Sequence, residues 1–248
     1  VDMGELERIG EAAGGFGPPG RPGLRLLTLS PEAKGACEAA RAMSGRGVVV
    51  AMGHTAASDE EVRAFLAAGA RFAVHAFNRY AAPGGGTPDH RAPGPMALAA
   101  TDDRLMAGLI ADGVHVSPQV IAAFVRSRGW ERVALTSDLV SDRGLAGPPE
   151  GASPGGAAVW RGGVLTGSRL SLGEVLPRYR EWTGLPAGCA AAAATQQPAR
   201  LLGLQDEGGR LAEGARADLC VLDPGTLEVR AVLAGGRWAS GSPPFAEP

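Results

Sequence analysis

Short apolar runs alternate with amphipathic stretches through the first half of the chain, and each run predicts an element. A helical pattern at Met3–Ala13 comes first, then a Gly/Pro-rich loop at Gly14–Gly23. Leu24–Leu29 is largely apolar and strand-like, and the Ser30-Pro31 pair after it suits a helix start, predicting a helix over Pro31–Met43. Val48–Met52 is a continuous apolar run, as expected of a strand buried on both faces. Ser58-Asp-Glu-Glu61 has the spacing of a capping box and predicts a helix to Ala68. Strand Phe72–His75, loop Ala81–Gly94, short helix Pro95–Ala100, strand Leu105–Ala111, helix Pro118–Ser127 and strand Val133–Thr136 follow. Strands and helices in alternation predict βαβ units and a parallel sheet.

Beyond Asp138 the rhythm changes. Arg143–Gly156 is rich in Gly and Pro, Trp160–Thr166 suits a small hairpin, and helices are predicted at Leu170–Thr183, Pro186–Ala194 and Pro198–Leu202. Asp218–Asp223, Val229–Leu233 and Gly235–Trp238 then predict a meander of short strands, and Gly241–Pro248 a disordered tail. Five strands of the βαβ type are three short of a closed eight-stranded barrel. The sequence thus predicts either an open fold or one whose partner strands precede Val1.

Chemistry gathers where the runs stop. Val48-Val-Val-Ala-Met-Gly53-His54-Thr55 and Arg71-Phe-Ala-Val-His75-Ala-Phe-Asn78 end in histidine, and so does Leu105-Met-Ala-Gly-Leu-Ile-Ala-Asp112-Gly-Val-His115. Arg132-Val-Ala-Leu-Thr-Ser137-Asp138 ends in a carboxylate. The chain has only 4 histidines, so three at successive run ends form a pattern. C-terminal strand ends are where a (β/α)8 barrel keeps its chemistry.

Any one histidine is more ordinarily a core or capping residue, but His54 and His75 end adjacent strands and so could share one metal ion. Two imidazoles, a carboxylate and a water are a hydrolytic zinc set. Asp138 could then serve as general base, with capping of the next turn as its alternative. His115, after Asp112-Gly113, suits substrate binding or charge stabilisation. Asn78 and His90-Arg91 suit an anionic group, Arg91 through its planar guanidinium. Gly167-Ser168 could offer backbone N–H groups or simply cap a helix.

Composition narrows the partners. Hydrophobic residues make up 45% and charged residues 20%, an ordinary balance for a globular chain, and the net charge of −2 excludes a general field for nucleic acid or an anionic membrane. Cys37, Cys189 and Cys220 lack CxxC spacing and suit free thiols in a reducing cytoplasm. No apolar stretch approaches the roughly 18–20 residues of a membrane span. The acidic N-terminus does not suit a signal peptide, and opening on Val1 suits a chain that starts partway through a longer one.

Taken in order, the motifs resemble the N-acetylglucosamine-6-phosphate deacetylase family of the amidohydrolase superfamily. The resemblance rests on Gly53-His54-Thr55, His75-Ala-Phe-Asn78, His90-Arg91-Ala-Pro-Gly94, Ile110-Ala-Asp-Gly-Val-His115 and Thr136-Ser-Asp138. It continues through Leu165-Thr-Gly-Ser168, Pro198-Ala-Arg-Leu-Leu-Gly-Leu204 and Gly214-Ala-Arg-Ala-Asp-Leu-Cys-Val-Leu-Asp223. It implies an α/β fold: a metal-dependent (β/α)8 TIM barrel, incomplete over residues 1–205, with the C-terminal strands of a small β-sandwich at 206–240 and a tail at 241–248. It also implies His54 and His75 as ligands of a divalent metal ion, Zn2+ foremost, with Asp138 as the acid/base. Asn78, Arg79, Arg91, Asp112, Gly113, Val114, His115, Leu165, Thr166 and Gly167 would hold a phosphorylated amino sugar, and the protein would be a cytoplasmic homodimer.

Three departures qualify this. The family's metal-binding glutamate, in a His-Leu-Glu-Gly-Pro-type stretch, has no counterpart here: no histidine precedes His54, and Glu5, Glu7 and Glu11 lie in an unrelated helical pattern. Asn78-Arg79-Tyr80 replaces the family's Asn-Ala-Met, and Ser137-Asp138-Leu139 its Thr-Asp-Ala. Two alternatives therefore stand beside the deacetylase: a superfamily relative acting on another amide or amino sugar, and a truncated, non-catalytic fragment.

Overall fold

A computed structural model describes residues 1–17, 23–80, 94–140 and 156–240. Its centre is a five-stranded sheet of β1 (Leu26–Leu29), β2 (Val49–Met52), β3 (Ala70–Ala73), β4 (Met106–Ile110) and β5 (Val133–Thr136). The spatial order is the chain order, and every pairing is parallel. Each crossover is a helix: α2 (Ala36–Ser44), α3 (Asp59–Ala67), α4 (Gly94–Thr101) and α5 (Pro118–Arg128), with α1 (Met3–Ala12) ahead of the sheet. The fold is therefore α/β, as the alternation predicts.

Local chemistry sets these boundaries. The Asp2 carboxylate caps α1 by accepting from the N–H groups of Gly4 and Glu5. The Ser58/Glu61 capping box starts α3 as the sequence predicts. Pro118 stands in the first turn of α5 behind the Ser117 cap. Two predicted boundaries around the parallel sheet are corrected. The helix after β1 starts at Ala36, not Pro31, because Ser30–Gly35 is used as a turn and Gly35 adopts a left-handed φ of 82°. The third strand is Ala70–Ala73, not Phe72–His75, because the chain leaves the sheet before His75 to form a turn.

The main core lies under the helices. Met43, Val50, Met52, Val62, Phe65, Leu105, Leu109, Ile121 and Val133 are fully buried there. On the sheet's other face Ala51, Phe72 and Ala134 form a small cluster, joined by half-buried Leu26, Val49, Val74, Met106 and Leu201. Among the described residues no strand pairs with the outer edge of β1 or β5.

A hairpin, β6 (Ala158–Arg161) with β7 (Val164–Ser168), follows, then α6 (Leu172–Thr183), α7 (Ala187–Ala194) and α8 (Gln196–Leu201). The hairpin and first two helices agree with the predicted pattern, while α8 begins two residues earlier than predicted, placing Pro198 in its first turn. The last three strands, β8 (Leu219–Leu222), β9 (Val229–Ala234) and β10 (Arg237–Ser240), make an antiparallel meander. The predicted tail at 241–248 lies outside the described residues.

Candidate active site

The C-terminal ends of the five strands share one edge of the sheet, and a recess there is lined by Thr28, Ser30, Gly53, His54, Val74, His75 and Thr136 among others. His54 and His75 enter it from the turns after β2 and β3. Their Nε2 atoms are 3.1 Å apart and their ring centroids 4.9 Å. Both residues hold left-handed backbone, φ 49° and 30°, and Asp138 after β5 does the same at 48°. Such a conformation strains a side chain bearing a Cβ, by about 1–3 kcal/mol each, and persists only where surrounding structure enforces it.

The enforcement is visible around His54. The Ser30 hydroxyl lies 3.2 Å from Gly53 O and 3.1 Å from His54 O. The Glu32 carboxylate accepts from the Thr55 hydroxyl at 2.6 Å and from Ala56 N–H at 2.9 Å. Burial raises the Glu32 pKa, but hydrogen bonds led by the one from Thr55 outweigh it, so it ends below its ordinary value. Gly53 is compulsory, since a Cβ there would meet Val74 Cγ2 at 2.4 Å and Thr28 Cγ2 at 2.9 Å.

Tyr80 does for both histidines what Glu32 does for one. Its hydroxyl lies 2.8 Å from Met52 O and 2.9 Å from Val74 O, bridging β2 and β3 just before their histidines. Its ring stands edge-on to His75, centroids 6.4 Å apart. Burial drives the Tyr80 phenol well above its ordinary pKa, so it stays a donor. Burial lowers the His75 pKa. His75 is thus held in the neutral form that metal ligation requires.

At the far end of the edge, Asp112 and His115 are locked together. Asp112 Oδ1 accepts from Val114 N–H at 2.8 Å and His115 N–H at 2.9 Å, while Oδ2 is 2.6 Å from His115 Nδ1. The N–H groups of Val114 and His115 are therefore taken by Asp112. The carboxylate can only accept, which puts the ring proton on Nδ1. His115 Nε2 then faces Asp138 Oδ2 at 3.8 Å, buried and with no hydrogen-bond partner among the described residues. The β7 end flanks Asp138, with Ser168 N–H donating to Asp138 O at 2.8 Å. A Cβ on Gly167 would lie 2.8 Å from that same carbonyl oxygen.

The structure thus gathers His54, His75, Asp112, Gly113, Val114, His115, Asp138 and Gly167 along one edge. Asn78 and exposed Arg79 occupy the turn after His75, where Asn78 N–H donates to His75 O. Leu165 and Thr166 lie further down β7, Thr166 with its hydroxyl on Val164 O. Arg91 and His90 lie outside the described residues. Glu7 faces away from the site, 2.6 Å from Arg46 beyond α2.

Two imidazole nitrogens about 2.0–2.1 Å from one zinc at a tetrahedral angle stand roughly 3.3–3.4 Å apart. The His54–His75 spacing and the lowered His75 pKa fit two ligands of one such cation. Among the described residues no third His, Cys, Asp or Glu joins them in a cluster able to hold a metal.

Comparison with known proteins agrees with this architecture. Residues 15–245 match the model of the amidohydrolase family. The chain belongs to the amidohydrolase family. This amidohydrolase is 34% identical over 226 residues to an N-acetylgalactosamine-6-phosphate deacetylase of Escherichia coli O157:H7, covering 88% of this chain and 57% of that one. An N-acetylglucosamine-6-phosphate deacetylase of Bos taurus is 33% identical over 231 residues, covering 88% and 54%. A mutant N-acetyl-D-glucosamine-6-phosphate deacetylase from Mycobacterium smegmatis, solved in complex with N-acetyl-D-glucosamine-6-phosphate, superposes with a TM-score of 0.79 at 33% identity, covering 96% of this chain and 61% of that one. The resemblance read from the motifs is thus to deacetylases of N-acetylated amino-sugar phosphates. The amidohydrolase chain spans about half the length of the curated relatives it matches.

Sequence reasoning missed Ser30 and Glu32. The signal was present, since both follow a run end, but the Ser-Pro pair reads equally as a helix start. Tyr80 enters the sequence reading only as part of a departure from the family's Asn-Ala-Met, and nothing in the sequence reveals that its hydroxyl returns to two strand ends.

Proposed function

We propose that this amidohydrolase is a metal-dependent deacetylase of N-acetylated hexosamine 6-phosphates, with N-acetylglucosamine 6-phosphate the first substrate to test. In this reading the five-stranded sheet is part of a (β/α)8 barrel over residues 1–205, and residues 206–240 are part of a small β-sandwich. The observation that carries it is the convergence of His54 and His75, Nε2 to Nε2 at 3.1 Å, on an edge that also holds Asp138. His54 and His75 would hold a divalent cation, Zn2+ foremost, which supplies Lewis-acid polarisation of the acetamide carbonyl.

The chain's own groups account for the proton traffic. Asp138 accepts a proton from the water that attacks the carbonyl carbon. When the C–N bond breaks, Asp138 passes that proton to the leaving amine, giving acetate and the amino-sugar phosphate. His115, fixed by Asp112 with Nε2 toward Asp138, lies within reach of charge developing beside that carboxylate. Asn78, Arg79 and Arg91 would hold the phosphate, while the Asp112–His115 turn and Leu165–Gly167 would hold the sugar. By family resemblance Arg91 would act across a homodimer.

A second reading has one observation in its favour. Arg79 is exposed with left-handed backbone beside Asn78, a bulky cation where the family has alanine. It favours a different amide or a different epimer, including N-acetylgalactosamine 6-phosphate. Acetate release from both hexosamine phosphates, measured with added Zn2+, tests the two readings together. Release from the glucosamine compound, lost in Asp138→Asn, is expected. Equal release by Asp138→Asn removes the acid/base role, and release from neither sugar removes the substrate class.

A further inference from the structure

The other end of the sheet carries chemistry of its own. Arg71 sits at the start of β3, Arg104 precedes β4, and Glu131 and Arg132 lead into β5, all at N-terminal strand ends. With Gln197 and Arg200 of α8, and with Met106 and Leu201, they line one recess. Four arginines and one glutamate are among its lining residues.

The charges are unevenly matched. Arg104 is occupied, its Nε and Nη2 donating to the Asp102 carboxylate at 2.9 and 2.6 Å. Arg132 is drawn to Asp103, bonding its carbonyl and lying 3.5 Å from its Oδ1. Arg71 and Arg200 have no ion pair or hydrogen bond among the described residues, and both are exposed to the recess. Gln197 is the decisive residue: it is 1% exposed, yet neither its Nε2 nor its Oε1 has a partner among the described residues. A buried amide left so is unfavourable, because it has given up water without gaining a partner. Either assignment of its two ends leaves both donor and acceptor capacity unmet among the described residues at the lining of this recess.

We propose that this recess binds hydrogenphosphate, at a site separate from the histidine edge. Arg71 and Arg200 neutralise the anion, the Gln197 N–H group donates to a phosphate oxygen, and Gln197 Oε1 accepts from the P–O–H. The acceptor makes the site selective, because sulfate and a fully ionised phosphate monoester have no such proton to give.

Calorimetric titration of the full chain at pH 7.5 with inorganic phosphate, sulfate and glycerol phosphate tests this. Phosphate binding at one site per chain is expected, about tenfold weaker in each of Arg71→Ala, Arg200→Ala and Gln197→Met. Sulfate and glycerol phosphate should bind more weakly than phosphate. Arg71 and Arg200 are exposed, so those variants should fold, as circular dichroism checks. No phosphate binding, or a phosphate isotherm unchanged in all three variants, overturns the proposal. Sulfate binding as tight as phosphate overturns the hydrogenphosphate assignment. Acetate release in Arg71→Ala and Arg200→Ala should match the parent, so this test and that of the deacetylase reading fail independently.

Discussion

Asp112 holds His115 by a 2.6 Å contact between Oδ2 and Nδ1, with both side chains 1% exposed or less. Burial pushes the Asp112 carboxyl up, but the His115 ring and the N–H groups of His115 and Val114 outweigh it, leaving its pKa below the ordinary value. A carboxylate with a depressed folded pKa stabilises the fold above its unfolded value of about 3.9, and that contribution is lost as pH falls through the folded value. Asp112→Asn should therefore lower stability near neutral pH by about 1.5–3 kcal/mol, the scale of a charge-assisted hydrogen bond. It should also flatten the acid limb below pH 4. Urea unfolding of both proteins at pH 7 and pH 3 checks this; an equal loss at the two pH values would show that the carboxylate is not what Asp112 contributes.

Tyr80→Phe keeps the ring on His75 and deletes only the hydroxyl that reaches Met52 O and Val74 O. We expect a cost of about 1 kcal/mol, a fall in Tm of about 2–4 °C and weaker cation binding, because the two strand ends are no longer tied. An unchanged Tm would mean that the bridge is not formed in solution.

Gly53→Ala forces a methyl into Val74 and Thr28. Overpacking of this kind costs about 1–3 kcal/mol, and here the displaced backbone also carries His54. Thermal unfolding should show the loss, and cation affinity should fall with it. A variant as stable as the parent would contradict the close approach of Val74 and Thr28 to Gly53.

Much of this was legible in the sequence. Val48–Met52 and Leu105–Ala111 are apolar throughout because both faces of their strands are covered, and Ser58 with Glu61 announces its helix by local hydrogen bonding alone. The strand-end rule found His54, His75 and Asp138, since a side chain just past a parallel strand must emerge at one edge. It failed where one residue pair suits two structures: Ser30-Pro31 fits a helix start but forms a turn, freeing Ser30 and Glu32 to brace His54. The Asp112–His115 lock was hidden because it depends on the left-handed turn at Gly113, φ 79°, which folds the carboxylate back onto its own chain. Tyr80 was hidden for a non-local reason, its partners lying 28 and 6 residues upstream.

The account's central claim is that His54 and His75 are two ligands of one divalent cation beside Asp138. Titrating Zn2+ into the metal-stripped full chain, with bound metal counted by elemental analysis, tests it most directly. The account predicts one ion per chain, bound at least tenfold more weakly in either His54→Ala or His75→Ala and still bound in Asp138→Asn. An ion held equally well without either histidine, or no ion bound by the parent chain, would contradict it.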